Sequence, residues 1–333
     1  MDKRTAQTLA DVARLAEVSE ITVSRVLRNK GPISERTRER VMRAVRQTGY
    51  LPNRIAGTLA SAGSSLVGVV LPSLSNIVFP EVLRGIHAAL SASGHQPVVG
   101  VSDYDEAAEE RLVAGLLAWQ PAAMIVTGLD HTAATRTLLR RSGVRVAELM
   151  DIDAPPIDLA VGLSHRAAGR ASVRHLWARG YRRFGYVGHD RGRDRRAGRR
   201  YEGLRQALAE AGGGLVGEAS VDGPSSAAAG RKALADLLAG GSRPDVVVFS
   251  NDDMAVGGVF HCLANGIAPK RELGLFGFNG LEIGEALPLP LSTILSPRFS
   301  IGEIAARRIL AEPRPAVPES VDTGFEIVAG ATA

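Results

Sequence analysis

Two hydrophobic periodicities divide the chain. Between residues 8 and 49, small and branched apolar residues recur at helical spacing in three short runs. These are Leu9, Val12, Ala13 and Ala16; Val23, Val26 and Leu27; and Val41, Ala44 and Val45. Thr8, Ser19 and Ser34 stand where an N-cap opens each helix, and Gly49 stands where the third one ends. The pattern predicts two short helices, a tight turn and a third helix, with small Ala13 letting the second helix approach closely. From residue 66 onward the pattern changes to short apolar runs alternating with amphipathic stretches. It predicts strands at 66–71, 97–101, 124–127, 144–149, 184–187, 246–249 and 273–276, and helices at 81–91, 106–119, 166–179, 227–238 and 253–264. Strands alternating with helices imply parallel sheets, and about 270 residues suffice for two such lobes. A cleft between strand ends is then the natural place for a small molecule.

Charge separates the same two parts. Residues 1–60 carry twelve Lys/Arg against six Asp/Glu, whereas the rest of the chain is close to neutral, so the overall +5 belongs to the head. A run of charge is usually only a solvated face. Coinciding here with a helix-turn-helix pattern, it reads as attraction to phosphates. Such a unit lays its second helix in a DNA groove, and Glu20, Ile21 and Arg25 are the outward residues of that helix.

Other chemistry is missing from the pattern. No phosphate-binding G-x-x-x-x-G-K-[ST], no H-E-x-x-H and no paired-Cys spacing occurs, and seven scattered His residues show no metal-ligand spacing. Catalytic residues, a bound metal and a cofactor are therefore not expected. The single cysteine, Cys262, falls in an apolar helical pattern and reads as a buried small hydrophobe. No apolar run reaches the roughly 20 residues needed to cross a membrane. The first ten residues, M-D-K-R-T-A-Q-T-L-A, lack a signal-peptide core, which suggests a cytoplasmic protein with no membrane partner.

The head is carried by D-V-A-x-x-A-x-V-S-x-x-T-V-S-R-V-L, then S-x-x-T-R-E-R-V, then G-Y-x-P-N-R-x-A-x-x-L. These strings resemble the DNA-binding head of the lactose-repressor (LacI) family. One departure is visible: Glu17 sits in the turn where the family usually has Gly, and a left-handed non-Gly residue costs about 1 kcal/mol. The resemblance implies an all-α helix-turn-helix domain over residues 1–52 and a hinge helix with linker over 53–64. An α/β two-lobed, periplasmic-binding-protein-like effector and dimerisation domain follows over 65–333. Its N-lobe would comprise about 65–163 and 299–323, its C-lobe about 164–296 and 324–330. The family's base-reading positions fall on Glu20, Ile21 and Arg25, of which Arg25 fits the bidentate contact to guanine. Its phosphate-holding positions fall on Ser19, Thr22, Ser24, Thr37 and Asn53. Leu59 matches the leucine that wedges into the minor groove and kinks the duplex. Capping is the alternative role of Ser19, and packing against the body that of Leu59. The hinge contains Gly57 and is short enough to be marginal as an isolated helix.

The body resembles the gluconate-operon repressor branch through L-P-S-L-S-N-I-V-F-P-E-V-L-R-G-I, A-E-L-M-D, N-D-D-M-A-V-G and G-F-N-G-L-E-I-G. That resemblance places effector contacts at Ser73, Ser75, Asn76, Thr127, Asp151, Arg200, Asn251 and Asn279. Asp151, Asn251 and Asn279 suit sugar hydroxyls, and Arg200 suits a carboxylate or phosphate. The run R-G-R-D-R-R-A-G-R-R at 191–200 otherwise reads as an exposed charged loop leading into a helix near Gly203. The sequence S-P-R at 296–298 replaces the family's usual Gln or Asp.

The expectation is a homodimer on near-palindromic double-stranded operator DNA, released by gluconate, a ketogluconate or 6-phosphogluconate. The helices at 82–92 and 252–264 are candidates for the dimer face, and no heptad tail follows Ala329. Regulation of another sugar or nucleoside pathway, or dependence on a corepressor, is the main alternative. A solute-binding transport protein would share the body but not residues 8–59, and an architectural DNA-binding protein would need no ligand.

Overall fold

The computed structural model describes residues 7–27, 31–50, 64–311 and 313–333. Asn53 and Leu59 lie outside the described residues. The chain forms two separate units, Met1–Gly63 and Ser64–Ala333.

The first unit holds α1 (Leu9–Leu15), α2 (Glu20–Leu27) and α3 (Glu35–Thr48). Thr8 opens α1 through a reciprocal capping box with Asp11. Ser19 Oγ accepts from Thr22 N at 3.2 Å, and Ser34 Oγ accepts from Thr37 N at 3.3 Å. The helix α1 ends in a Schellman motif: Val18 N donates to Ala13 O and Glu17 N to Arg14 O. Glu17 takes the left-handed position of that motif, φ +50°, as its place in the turn foretold. From α3, Arg40 donates to the Glu17 carbonyl at 3.3 Å and ties the strained turn down. Val12, Ala13, Ala16, Val23, Val26, Val41 and Ala44 form the buried core.

The second unit contains, in order, β1 (Leu66–Leu71), α4 (Val78–Ala92), β2 (Gln96–Val101), α5 (Glu106–Leu117), β3 (Ala123–Thr127), α6 (Ala133–Arg141), β4 (Arg145–Leu149), β5 (Leu159–Gly162) and α7 (His165–Ala178). It continues with β6 (Phe184–His189), α8 (Arg195–Glu210), β7 (Leu215–Val221), α9 (Ala227–Ala239), β8 (Val246–Phe249), α10 (Asp252–Ala264), β9 (Gly274–Phe276), α11 (Glu282–Glu285), β10 (Thr293–Leu295), α12 (Arg298–Ala311), β11 (Glu319–Asp322) and β12 (Glu326–Val328). One lobe is built on a parallel six-stranded sheet, β11-β5-β4-β3-β1-β2, the other on a parallel four-stranded sheet, β7-β6-β8-β9. The pair β10–β12 is antiparallel. The chain passes between the lobes after β5, after β10 and after β11, so a cleft lies between the carboxyl edges of the sheets.

All seven expected strands are present with ends within two residues. Five further strands escape the pattern for two reasons. The edge strands β7 and β11 alternate exposed and half-buried positions without a strong apolar face, and β5, β10 and β12 have only three or four residues. The arginine-rich run is corrected more substantially. The helix α8 begins at Arg195, eight residues before Gly203, because Asp194 caps it by accepting from Ala197 N at 3.2 Å. Of the six arginines, only Arg193 and Arg195 are exposed.

Two glycines set α8 against α7. A Cβ on Gly169 would lie 2.0 Å from Arg200 O, and one on Gly203 would lie 2.1 Å from Arg166 O. Backbones this close admit no side chain, and the crossing fixes how far α8 reaches over the cleft.

The N-lobe buries an ionic triad. His131, on the loop after β3, places Nδ1 2.6 Å from Glu109 of α5 and Nε2 3.5 Å from Glu148 of β4. Burial alone would lower the imidazole's pKa, but the two carboxylates outweigh it and push it up to about 9. A folded-state pKa above the unfolded value near 6.5 stabilises fully below pH 6.5, and that stabilisation is lost as pH rises through about 9. The wild-type chain is expected to lose about 3 kcal/mol between pH 6 and 9 that His131→Gln does not lose. Urea denaturation of both proteins across that range checks this, and parallel curves would refute it.

Candidate DNA-reading face and interlobe cleft

On α2, the buried Val23 and Val26 turn the opposite face outward. Glu20, Ile21 and Arg25 are exposed there, Ile21 to 67%. An aliphatic side chain left this bare at the start of a helix gains nothing within the head, whereas a thymine methyl would cover it. None of the head's ion pairs among the described residues involves Arg25. Ser19 and Thr22 share a hydroxyl–hydroxyl bond of 2.9 Å beside this face, and Ser34 and Thr37 share another of 2.9 Å. Ser24 is half-buried one turn along.

In the second unit the cleft contains two cavities. One, of about 570 Å³, is lined by Ser102, Thr127, Asp130 and Arg196 among others. The other, of about 540 Å³, is lined by Ser73, Ser75, Asn76, His189, Ser226 and Asp253 among others. Tyr104, Arg193 and Asp194 line both and form the wall between them. Tyr104 is delivered by an unusual backbone: Asp103 and Tyr104 have φ +51° and +59°, two consecutive left-handed residues without a glycine. Such strain costs about 1–3 kcal/mol per residue and tends to mark ligand sites. Asn76 Nδ2 donates to Tyr104 Oη at 3.2 Å, which leaves the phenol's own hydrogen free to donate.

Three arginines of α8, at positions 196, 199 and 200, share one face of that helix. Arg199 spans the cleft, with Nη1 2.5 Å from Asp151 and Nη1 and Nη2 2.7 and 2.9 Å from Asp130. Arg200 meets the neutral ring of His165 at 3.0 Å, donates to Ser250 O at 2.9 Å and lies over the Phe278 ring. Burial, reinforced by Arg200 and Arg196, holds the His165 pKa well below the usual imidazole range. Arg196 is only 9% exposed, with Nε 3.5 Å from Asp194 and Cζ 5.2 Å from the Phe79 ring centroid. Burial would raise the Asp194 carboxyl, but Arg196, His189 and Arg200 outweigh that and hold it well below the usual carboxylate range.

The effector residues expected from the sequence fall into two sets. Ser73, Ser75 and Asn76 line the second cavity and Thr127 the first. Ser73 Oγ lies 3.0 Å from Ser75 Oγ and accepts from Asn76 N at 3.2 Å. The others face inward. The Asp151 carboxylate accepts from Asp153 N and Arg199, Asn251 caps α10 through Met254 N, and Asn279 sits at φ +121° beneath Arg298. Arg298 thus fills the corner where S-P-R departs from the family, donating also to Gly280 O and Ser296 Oγ at 3.3 Å. Arg200 lines neither large cavity. Tyr104, His189, Asp194, Arg196 and Asp253 were missed. Asp194 and Arg196 had a signal, since an acid followed by arginines at helical spacing can be a capped, buried helix start. Tyr104 had none, because its place depends on a strained turn. Among the described residues, no group of three or more His, Cys, Asp or Glu is placed to hold a metal ion, and no helix is long and apolar enough to cross a membrane.

Comparison with known proteins agrees with this architecture. A family model described as "Bacterial regulatory proteins, lacI family" matches residues 8–53, and one for periplasmic binding protein-like domains matches 173–333. The HTH-type transcriptional regulator GntR of Pseudomonas aeruginosa is 38% identical, over 97% of this chain and 94% of its own. Its namesake in Escherichia coli K12 is 35% identical, over 98% and 99%. The crystal structure of a LacI-family transcriptional regulator from Silicibacter pomeroyi superposes with a TM-score of 0.92 at 41% identity, covering 98% of this chain and 99% of that one. A helix-turn-helix head joined to a two-lobed α/β body, with relatives of this kind along its length, defines a DNA-binding transcriptional regulator and not an enzyme. The chain belongs to the LacI family of bacterial regulatory proteins.

Proposed function

We propose that the protein is a cytoplasmic repressor of sugar-acid catabolism, of the gluconate type, that leaves its operator when a small sugar acid enters the cleft. The observation that carries this reading is the cleft's lining. Hydroxyls and an amide from Ser73, Ser75, Asn76, Tyr104 and Thr127 stand opposite an arginine-bearing helix. Those groups suit a ligand with many hydroxyls and one negative end. Asp151, Asn251 and Asn279 shape the floor in this reading. Ser19, Thr22, Ser24, Thr37 and Asn53 hold phosphates, Glu20, Ile21 and Arg25 read bases, and Leu59 kinks the duplex. A near-palindromic operator with half-sites about 34 Å apart requires a two-fold protein. The helix α10 leaves Phe260 and Leu263 exposed to 44% and 48%, apolar surface that a second copy would cover. An effector acts only through its differential affinity for the two states, typically about 1–3 kcal/mol of coupling.

The test joins DNA binding to ligand binding. The chain is titrated with operator DNA taken from its own upstream region, with and without gluconate, 2-ketogluconate or 6-phosphogluconate. One acid should weaken operator binding about 5–150-fold. Arg25→Ala should weaken it about 10–100-fold and relax the preference at one base pair per half-site. Tighter binding with the acid would mean a corepressor, and no response to any of the three would refute the sugar-acid reading.

A further inference from the structure

Arg196 stands in a different condition from its two neighbours on α8. Arg199 has both terminal amino groups committed to carboxylates, and Arg200 has both committed to His165 and Ser250. Arg196 is about nine-tenths buried, and the groups that answer it are the Asp194 carboxylate and the neutral Tyr104 hydroxyl. Its one close counter-charge, Asp194, lies on the Nε edge at 3.5 Å. Phe79 covers the guanidinium from the other lobe with a ring face. With one carboxylate at its Nε edge and one hydroxyl beside it, this five-donor group lines the 570 Å³ cavity with donors to spare. A buried guanidinium is stable only when its charge and donors are answered, and a carboxylate is the group whose two oxygens match its Nη1–Nη2 edge.

We propose that the negative end of the effector is gripped by the Nη1–Nη2 edge of Arg196 together with the Tyr104 hydroxyl, while Arg200 is a positioning residue in the wall. This rests on the sugar-acid reading above and specifies its anion subsite. Tyr104 is equipped for the role on three counts. Its oxygen already accepts from Asn76, so its hydrogen points elsewhere. Burial, then the nearby Asp194, raises its pKa, so the proton stays on. Its strained backbone carries the ring into the wall between the cavities, beside Arg196. The hydroxyls of Ser102 and Thr127, which line the same cavity, would take the polyol end. The arrangement selects an acid over the neutral sugar of the same length, because a neutral ligand leaves the guanidinium edge unanswered.

The test is calorimetry on the full chain with gluconate, its uncharged amide gluconamide, and sulfate at constant ionic strength. Wild type should prefer gluconate to gluconamide at least about 30-fold. Arg196→Gln should weaken gluconate about 100-fold and bring the two ligands to within about threefold. Tyr104→Phe, which keeps the ring, should cost about tenfold. Arg196→Lys, which keeps the charge but not the fork, should also cost about tenfold. Those two variants decide the matter if Arg196→Gln melts early. An unchanged preference in Arg196→Gln, or a preference lost in Arg200→Gln alone, overturns the assignment while the sugar-acid reading stands. Sulfate bound by wild type and lost in Arg196→Gln, with no sugar acid bound, overturns the sugar-acid reading while Arg196 stands. Neither bound overturns both.

Discussion

Arg199→Ala is expected to destabilise the body by about 3–5 kcal/mol, the range for removing one partner of a buried ion pair. Arg199 answers two carboxylates of the facing lobe, and the Asp151 side chain has no exposed surface. Without the guanidinium, Asp151 keeps one backbone donor, Asp153 N at 2.9 Å. Burial already raises the Asp151 pKa, and Arg199 partly restrains it. In the variant it rises further. A folded-state carboxyl pKa above the unfolded value near 3.8 means that the folded state binds the proton more tightly, so stability falls as pH rises through that window. The deficit should be small near pH 4 and full at pH 7. Adding Asp151→Asn should recover at least half of it at pH 7, because the uncompensated charge is gone. Urea denaturation of the four proteins in the cycle at pH 4.5 and 7 measures this. A coupling below about 0.5 kcal/mol would show that Arg199 holds the lobes by packing alone.

Gly203→Val should produce the second large effect. Its Cβ would stand 2.1 Å from Arg166 O and 2.9 Å from Arg166 Cα, backbone atoms that no rotamer change can move aside. The helices α7 and α8 must separate, with Arg196, Arg199 and Arg200 carried out of register. We expect a loss of about 3 kcal/mol or more, above the usual range for overpacking because both obstructing atoms are main chain. For a body of this size that lowers Tm by roughly 6–12 °C. Gly115→Ala is the matched control. It lies within α5 with open space around its Cβ and should stabilise by about 0.5–1 kcal/mol. If Gly203→Val melts like wild type, the α7–α8 crossing is not fixed by backbone contact.

Much of this was legible in the chain because it is local. The caps Thr8, Ser19 and Ser34 and the inward valines are each decided within four residues, as was the left-handed turn at Glu17, whose identity departs from the family but whose place in the motif does not. The strands of the two sheets were visible because parallel strands, covered on both faces, read as unbroken apolar runs. The exceptions follow the same logic. The half-exposed edge strand β7 has no such run, and β10 and β12 are too short for one.

The site was only half legible. Ser73, Ser75, Asn76 and Thr127 were placed by the resemblance alone, and they lie just after or at the end of a strand whose carboxyl edge opens on the cleft. The arginines could be ranked only by the resemblance, which singled out Arg200. Six of them in ten residues look alike as sequence, and what separates them is distant in the chain. Arg199 is held by Asp130 and Asp151, Arg200 by His165 and Ser250, and Arg196 by Asp194 and the Tyr104 hydroxyl. Local sequence fixes the period of a helix and the direction in which it presents a residue. It does not fix the partner that meets that residue, because burial and electrostatic pairing depend on groups brought together by the fold. The sequence by itself therefore determined a DNA-reading head and a two-lobed α/β body. Only the tertiary structure decided which buried charge meets a full set of partners and which meets few beside a cavity.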